Sequence, residues 1–178
     1  ASPLVDVSLI FHTGAAFDPP GKKGLAWLTA SMLSDGGSVR RSYAEIQQAF
    51  YPMAAEFDAQ VDKEMVKFYG TVHRDNLEAW YALVRELLLQ PGFRDDDFQR
   101  IKQRQINSIK VDLRSNNDEE FGKEALYEMV YGPDHPYGTL NAGHLSDVEM
   151  LTLEDVKAFH AENFGAARVT VGLSGNYD

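Results

Sequence analysis

Few side chains in this sequence have the spacing a catalytic centre would need. The five histidines, His12, His73, His135, His144 and His160, never fall four residues apart, the helical spacing that aims two imidazoles at one metal ion. Three ligands could still assemble from distant segments, for example His135 and His144 with an acidic residue. The ordinary reading is single histidines bonded to backbone or water. There is no cysteine, which excludes disulfides, thiolate zinc sites and a cysteine nucleophile, and leaves the compartment open between periplasm and cytoplasm. Serines are frequent, but no Gly-x-Ser-x-Gly elbow occurs, and Gly172-Leu173-Ser174-Gly175 reads as a strand end. Gly36-Gly37 follows a helix instead of opening one, and no lysine stands after it at phosphate-loop spacing. The acidic groups Glu119-Glu120 and Asp95-Asp96-Asp97 stand at helix starts, where negative charge complements the helix dipole.

The elements that would position any site follow from periodicity and punctuation. Val5, Val7, Leu9 and Phe11 alternate as a half-buried strand that ends before Asp18-Pro19-Pro20-Gly21. Residues 24–34 place Leu25, Leu28, Thr29, Met32 and Leu33 at helical spacing, stopped by Asp35-Gly36-Gly37. Ser42 with Glu45 forms a capping box for a second helix, which ends before Pro52. Strand-like segments follow at 55–60 and 65–72. Asp75 with Glu78 is expected to cap a helix with an apolar face of Leu77, Trp80, Tyr81, Val84, Leu87 and Leu88, closed by Pro91-Gly92. A long polar-rich helix is expected over 95–114, and another follows an Asn116-Asn117-Asp118 cap. A glycine- and proline-rich loop then leads to a helix capped by Thr152 and Asp155, and to a last strand with Val169, Val171 and Leu173. This order predicts an α+β fold, a largely antiparallel sheet with helices packed on one face.

Size and charge narrow the function classes. The 178 residues suit one domain, 1–178, and 44% of them are hydrophobic, enough for a sizeable core. The net charge of −10 repels phosphate backbones and anionic lipid alike, so neither nucleic acid nor a membrane surface is expected as a partner. No run of about eighteen apolar residues is present. Because the sequence starts almost directly in one strand and stops just after another, it is expected to be a piece of something longer.

The segment Gly24-Leu25-Ala26-Trp27-Leu28-Thr29-Ala30-Ser31-Met32-Leu33, preceded by a strand and Phe17-Asp18-Pro19-Pro20-Gly21, resembles the zinc helix of the pitrilysin/insulinase/processing-peptidase family, whose pattern is Gly-Leu-Ala-His-x-x-Glu-His-Met-Leu. The resemblance extends over essentially the whole chain through Asp58-Ala59, Pro91-Gly92-Phe93, Phe98-Gln99-Arg100, His135-Pro136-Tyr137-Gly138, Gly143 and Thr152-x-x-Asp155-Val156. Laid on that pattern, the first histidine falls on Trp27, the catalytic glutamate on Ala30 and the second histidine on Ser31. The third ligand falls on Ser108 and its companion acid on Ile101. An indole and a methyl offer zinc no donor, two hydroxyls are weak neutral ligands, and Ala30 cannot take a proton from a bound water. On this reading the chain has no catalytic residues and binds no metal or other cofactor, with zinc expected only in a homologous active half.

At 100° per residue, Trp27, Ala30, Ser31 and Ser34 share a helix face separate from the leucine stripe. Trp27 then either packs in the core, closing the former metal pocket, or stays open as an aromatic contact surface. The resemblance also implies that the strand around Asp58, Ala59 and Gln60 is an edge able to pair with an extended peptide, or else an ordinary edge blunted by charge. The function implied is a non-catalytic zinc-peptidase-family domain that supports structure and binds substrate peptide beside a homologous peptidase half or subunit. One alternative is an active zinc metalloendopeptidase whose catalytic residues come from another half or partner; another is a binding module that kept the fold and changed partners.

Overall fold

The computed structural model describes residues 2–113, 118–132 and 135–177. Strands β1 (Leu4–Phe11), β2 (Asp58–Val61), β3 (Val66–His73) and β4 (Val169–Gly175) form one antiparallel sheet in the order β2-β3-β1-β4. Val7 of β1 stands opposite Gly70 of β3 and Leu173 of β4, and Ala59 of β2 stands opposite Phe68 of β3. The period-two pattern of β1 and β3 sends Val5, Val7, Phe11, Val66, Phe68 and Val72 to one face, where all are buried. The helices are α1 (Leu25–Asp35), α2 (Tyr43–Phe50), α3 (Leu77–Leu89), α4 (Asp95–Asn107), α5 (Asp118–Tyr131), α6 (Leu145–Met150) and α7 (Leu153–Asn163). The expected α+β architecture is therefore present, with helices on one side of an antiparallel sheet.

Two apolar clusters hold these layers together. The first joins the inner face of the sheet to Ile46 and Phe50 of α2 and to Trp80, Leu83, Val84 and Leu87 of α3. Gly70 makes room for it: a Cβ there would lie 2.1 Å from the Glu56 carbonyl oxygen and 2.7 Å from Trp80 Cζ2. The indole can therefore approach the sheet closely and donate its Nε1–H to the Glu56 carbonyl at 2.9 Å. The second cluster joins Phe98, Ile101 and Ile106 of α4 to Val148 of α6 and to Val156 and Phe159 of α7.

Helix α1 stands between the two clusters, and this corrects the single leucine stripe read from its sequence. Leu25, Ala26, Leu28 and Met32 enter the second cluster, whereas Ala30 and Leu33 enter the first. Periodicity marks where apolar residues cluster on a helix, but two opposite partners share the load here.

The capping boxes at Ser42/Glu45 and Thr152/Asp155 are both formed. The one expected at Asp75/Glu78 is not. The chain first makes a 3₁₀ turn over Arg74–Asn76, in which His73 Nδ1 accepts the Asp75 N–H at 3.2 Å, and α3 begins only at Leu77 behind Asn76. β2 starts at Asp58, three residues later than expected. The helix expected over 95–114 is α-helical only to Asn107 and widens into a π-helical segment over Ser108–Leu113. Apolar spacing alone does not separate the two pitches: Ile106 on the α-helix and Ile109 on the wider turn are both buried. Helix α6, six residues inside the glycine-rich loop, is too short to leave a periodic signal. Asn116 and Asn117, expected to cap α5, lie outside the described residues.

Candidate functional site: a groove between α1 and β2

The start of α1 is fixed by contacts from far along the chain. Gly24 takes a left-handed conformation, φ 99°, immediately before the helix. Asp18, only 4% exposed, accepts the Gly24 and Ala26 N–H groups at 2.7 Å each, satisfying two donors that a helix start leaves without partners. Burial pushes the Asp18 carboxyl up to about 6, although the bonds from Gly24 and Ala26 and the nearby Lys23 pull the other way. From α4, the buried Gln105 amide donates to the Gly24 carbonyl at 2.9 Å and to the Ala142 carbonyl at 2.7 Å. Lys22 pairs with Asp155 at the start of α7. Together these contacts set the rotation of α1 and thus which of its residues face outward.

The face so presented borders a groove of about 460 Å³. Trp27, Ser31 and Ser34 form one wall and β2, with the segment leading into it, the other. Ser34 is buried and its Oγ donates to the Ser31 carbonyl at 3.4 Å, whereas Ser31, 7% exposed, makes no side-chain hydrogen bond among the described residues. Trp27 is half-buried. It is neither sealed in the core nor free in solvent: its inner edge meets the second cluster, its ring lines the groove, and the Arg104 guanidinium stands 6.0 Å from the ring centroid. Ala30, expected on the same face, is instead fully buried beneath the sheet.

The resemblance-derived positions do not converge as a set. Ser31 and Trp27 line the groove, Ile101 is buried in the second cluster, and Ser108 is half-buried where α4 changes pitch and is not among the lining residues. The donors offered at these positions are two hydroxyls, an indole and alkyl groups, which do not fit zinc. No group of three or more His, Asp or Glu residues able to hold a metal occurs among the described residues. The histidines are scattered: His12 Nε2 lies 3.0 Å from Thr170 Oγ1, His135 Nδ1 accepts the Tyr137 N–H at 3.1 Å, and His144 precedes α6. His160 lies 3.3 Å from the Leu88 carbonyl oxygen, with its pKa lowered by burial.

On the opposite wall, β2 has a single neighbour, β3, and is an edge strand. Asp58 and Ala59 line the groove, whereas Gln60 does not; it stands opposite Lys67. The lining also includes Glu56, Tyr43 and Asp35. Arg104, the lining cation, is paired with Asp35, and neither Glu56 nor Asp58 has a cationic partner among the described residues. The negative field is felt locally: Asp58 and then burial raise the pKa of Tyr69, its neighbour on β3. Burial and Asp35 raise that of Tyr43. The groove is thus concave, aromatic-walled and negatively charged, and it lies beside an edge strand whose Ala59 N–H is taken by Asp58 Oδ1 at 2.7 Å and whose Val61 carbonyl accepts from the Asn141 amide at 3.4 Å. Neither Tyr43 nor Glu56 carries a motif, so sequence patterns gave no reason to place them at the groove.

The site is thus a helix-flanked groove in an α+β domain, with no cluster of side chains able to hold a metal among the described residues. The description insulinase (peptidase family M16) matches residues 1–135, and the chain belongs to this family. Among solved structures, it is similar to a peptidase M16 inactive domain from Pseudomonas fluorescens, with a TM-score of 0.85 and 28% identity, covering 96% of this chain and 41% of that one. It shares its fold with a protease from Helicobacter pylori, with a TM-score of 0.84 and 18% identity, covering 99% of this chain and 42% of that one. The chain thus spans about two fifths of the length of these relatives. No curated protein sequence matches it.

Proposed function

We propose that this chain is a non-catalytic insulinase-family domain that binds extended substrate peptide along β2 and works beside a homologous half carrying the zinc chemistry. The observation that carries the reading is the α1–β2 groove, which has an edge strand and an aromatic wall but no donor set for zinc among its lining residues. Main-chain pairing with β2, in which a peptide carbonyl replaces Asp58 Oδ1 on the Ala59 N–H, would supply affinity, and the Glu56 and Asp58 carboxylates, without a cationic partner among the described residues, would favour a lysine or arginine side chain in the groove. Two uncovered apolar surfaces support a large partner. α5 exposes Leu126, Met129 and Val130 at 60%, 85% and 65%, three and four residues apart on one helix face, and β4 exposes Val171 and Leu173 at 58% and 45%. The similarity to a domain described as inactive, in a chain more than twice as long, agrees with a division of labour between halves.

The test combines metal analysis, a cleavage assay with a chelator control, and fluorescence anisotropy with a labelled unstructured peptide. The expected result is no stoichiometric zinc, no chelator-sensitive cleavage, and peptide binding that Trp27→Ala weakens roughly five- to tenfold, the value of one aromatic–cation contact. Tight zinc with turnover would establish the active-metallopeptidase alternative. Absence of peptide binding, alone and in the presence of a His-x-x-Glu-His homologue, would remove the binding role.

A further inference from the structure

A second concavity, of about 730 Å³, lies between α2 and α3 and shares no lining residue with the α1–β2 groove. Three arginines line it, Arg40, Arg41 and Arg85, with Glu86 the acidic residue among them. In a chain with 27 acidic and 17 basic residues, such a concentration of positive charge runs against composition.

The turn carrying two of these arginines is built rigidly. Ser38, fully buried, accepts the Arg40 and Arg41 N–H groups on its Oγ at 3.1 and 2.9 Å and donates its own N–H to the Arg41 carbonyl at 2.8 Å. The Arg94 guanidinium donates to the carbonyls of Gly36, Ser38 and Arg41 from the other side. The Val39 and Gly92 N–H groups, bonded to the Gln90 and Gly37 carbonyls at 2.8 and 3.0 Å, tie the turn to the end of α3. Glu86 is consumed inside this network: one carboxylate oxygen accepts from Ser38 Oγ and the other pairs with Arg41. Arg40 and Arg85 have no carboxylate partner among the described residues and are exposed. They stand beside an apolar wall that includes Met53, Leu83 and Leu89.

We propose that this pocket binds an acidic peptide segment of a partner protein, with carboxylate side chains on Arg40 and Arg85 and an aliphatic side chain against Met53 and Leu83. Charge complementarity identifies the occupant. A long polyanion such as nucleic acid would feel the whole −10 charge of the chain, whereas a short acidic segment feels mainly what lies within a Debye length of about 8 Å. The apolar wall is of no use to a bare inorganic anion, but it suits a peptide that alternates carboxylates with leucine.

The probe is a fluorescein-labelled octapeptide alternating glutamate and leucine, titrated against the full chain by anisotropy, beside the same peptide with glutamine for glutamate. The glutamate peptide should bind, weaken as salt is raised, and lose roughly tenfold in affinity both on neutralisation and in the double variant Arg40→Gln/Arg85→Gln. Neither arginine makes a contact that the fold depends on, so circular dichroism should be unchanged; if the double variant does not fold, Arg40→Gln alone gives the same readout. In Arg85→Glu, preference should move towards a lysine–leucine octapeptide. Trp27→Ala should leave this binding untouched, which separates it from the groove. Equal binding of the glutamate and glutamine peptides, unchanged affinity in the arginine variants, or displacement by inorganic phosphate or a short DNA duplex at the same concentration would overturn the proposal.

Discussion

The buried Asp18 carboxylate gives the sharpest test of how this site is held in place. Its folded-state value of about 6 stands above the ordinary 3.8 because burial disfavours the charge, so the folded chain binds a proton more readily than the unfolded chain. For an acid raised in this way, the contribution to stability is fully present below 3.8, declines as pH rises through the interval, and is lost above about 6. That interval corresponds to about 3 kcal/mol, and the 4% exposure of Asp18 leaves little solvent screening to reduce it. Asp18→Asn removes the titration while leaving one acceptor for the two N–H groups of Gly24 and Ala26. Urea unfolding of both proteins should therefore show the parent gaining stability over the variant by about 3 kcal/mol between neutral pH and pH near 3.8. The carboxyl carbon of Asp18, followed by NMR, should titrate near 6. Parallel stability profiles, or an Asp18 carboxyl titrating at or below 3.8, would refute the reasoning and imply that the two N–H bonds outweigh burial.

Other perturbations test neighbouring links. Gly24→Ala should destabilise by about 2–3 kcal/mol or more, read as a drop in Tm of about 5–10 °C, because a left-handed residue gains a Cβ. That atom would lie 2.6 Å from the Ala142 carbonyl oxygen and 2.7 Å from Gln105 Nε2. Thr152→Ala removes the side-chain half of a formed capping box and should cost about 1 kcal/mol in chemical denaturation. Glu56→Gln with Asp58→Asn should reduce the preference of the groove for a lysine-bearing over a norleucine-bearing peptide by roughly fivefold, with little change for the norleucine peptide; anisotropy titrations measure both.

Much of the framework was legible in the residues. Alternation along β1, the strand-like segment at 65–72, the boxes at Ser42/Glu45 and Thr152/Asp155, and the Pro91-Gly92 stop are local signals, and the structure shows each of them. The signals that misled were also local. Asp75 and Glu78 have the spacing of a cap, but the His73 ring takes the Asp75 N–H first, and the spacing of Ile101, Ile106 and Ile109 suits an α-helix as well as the wider turn that begins at Ser108.

At the groove, sequence alone determined the chemistry on offer, because the donor atoms of Trp27, Ala30, Ser31 and Ser108 are fixed by residue type wherever the chain places them. Tertiary structure decided which of them share a surface. It buried Ala30 beneath the sheet, left Trp27 half open, and kept Ser108 out of the groove lining. It also brought Asp18, Gln105 and Ala142 to the start of α1, and Arg40 and Arg41 to face Arg85. The physical reason is range. Propensity and periodicity act over a few residues, whereas burial, ion pairing and the walls of a cavity depend on atoms brought together from segments tens of residues apart.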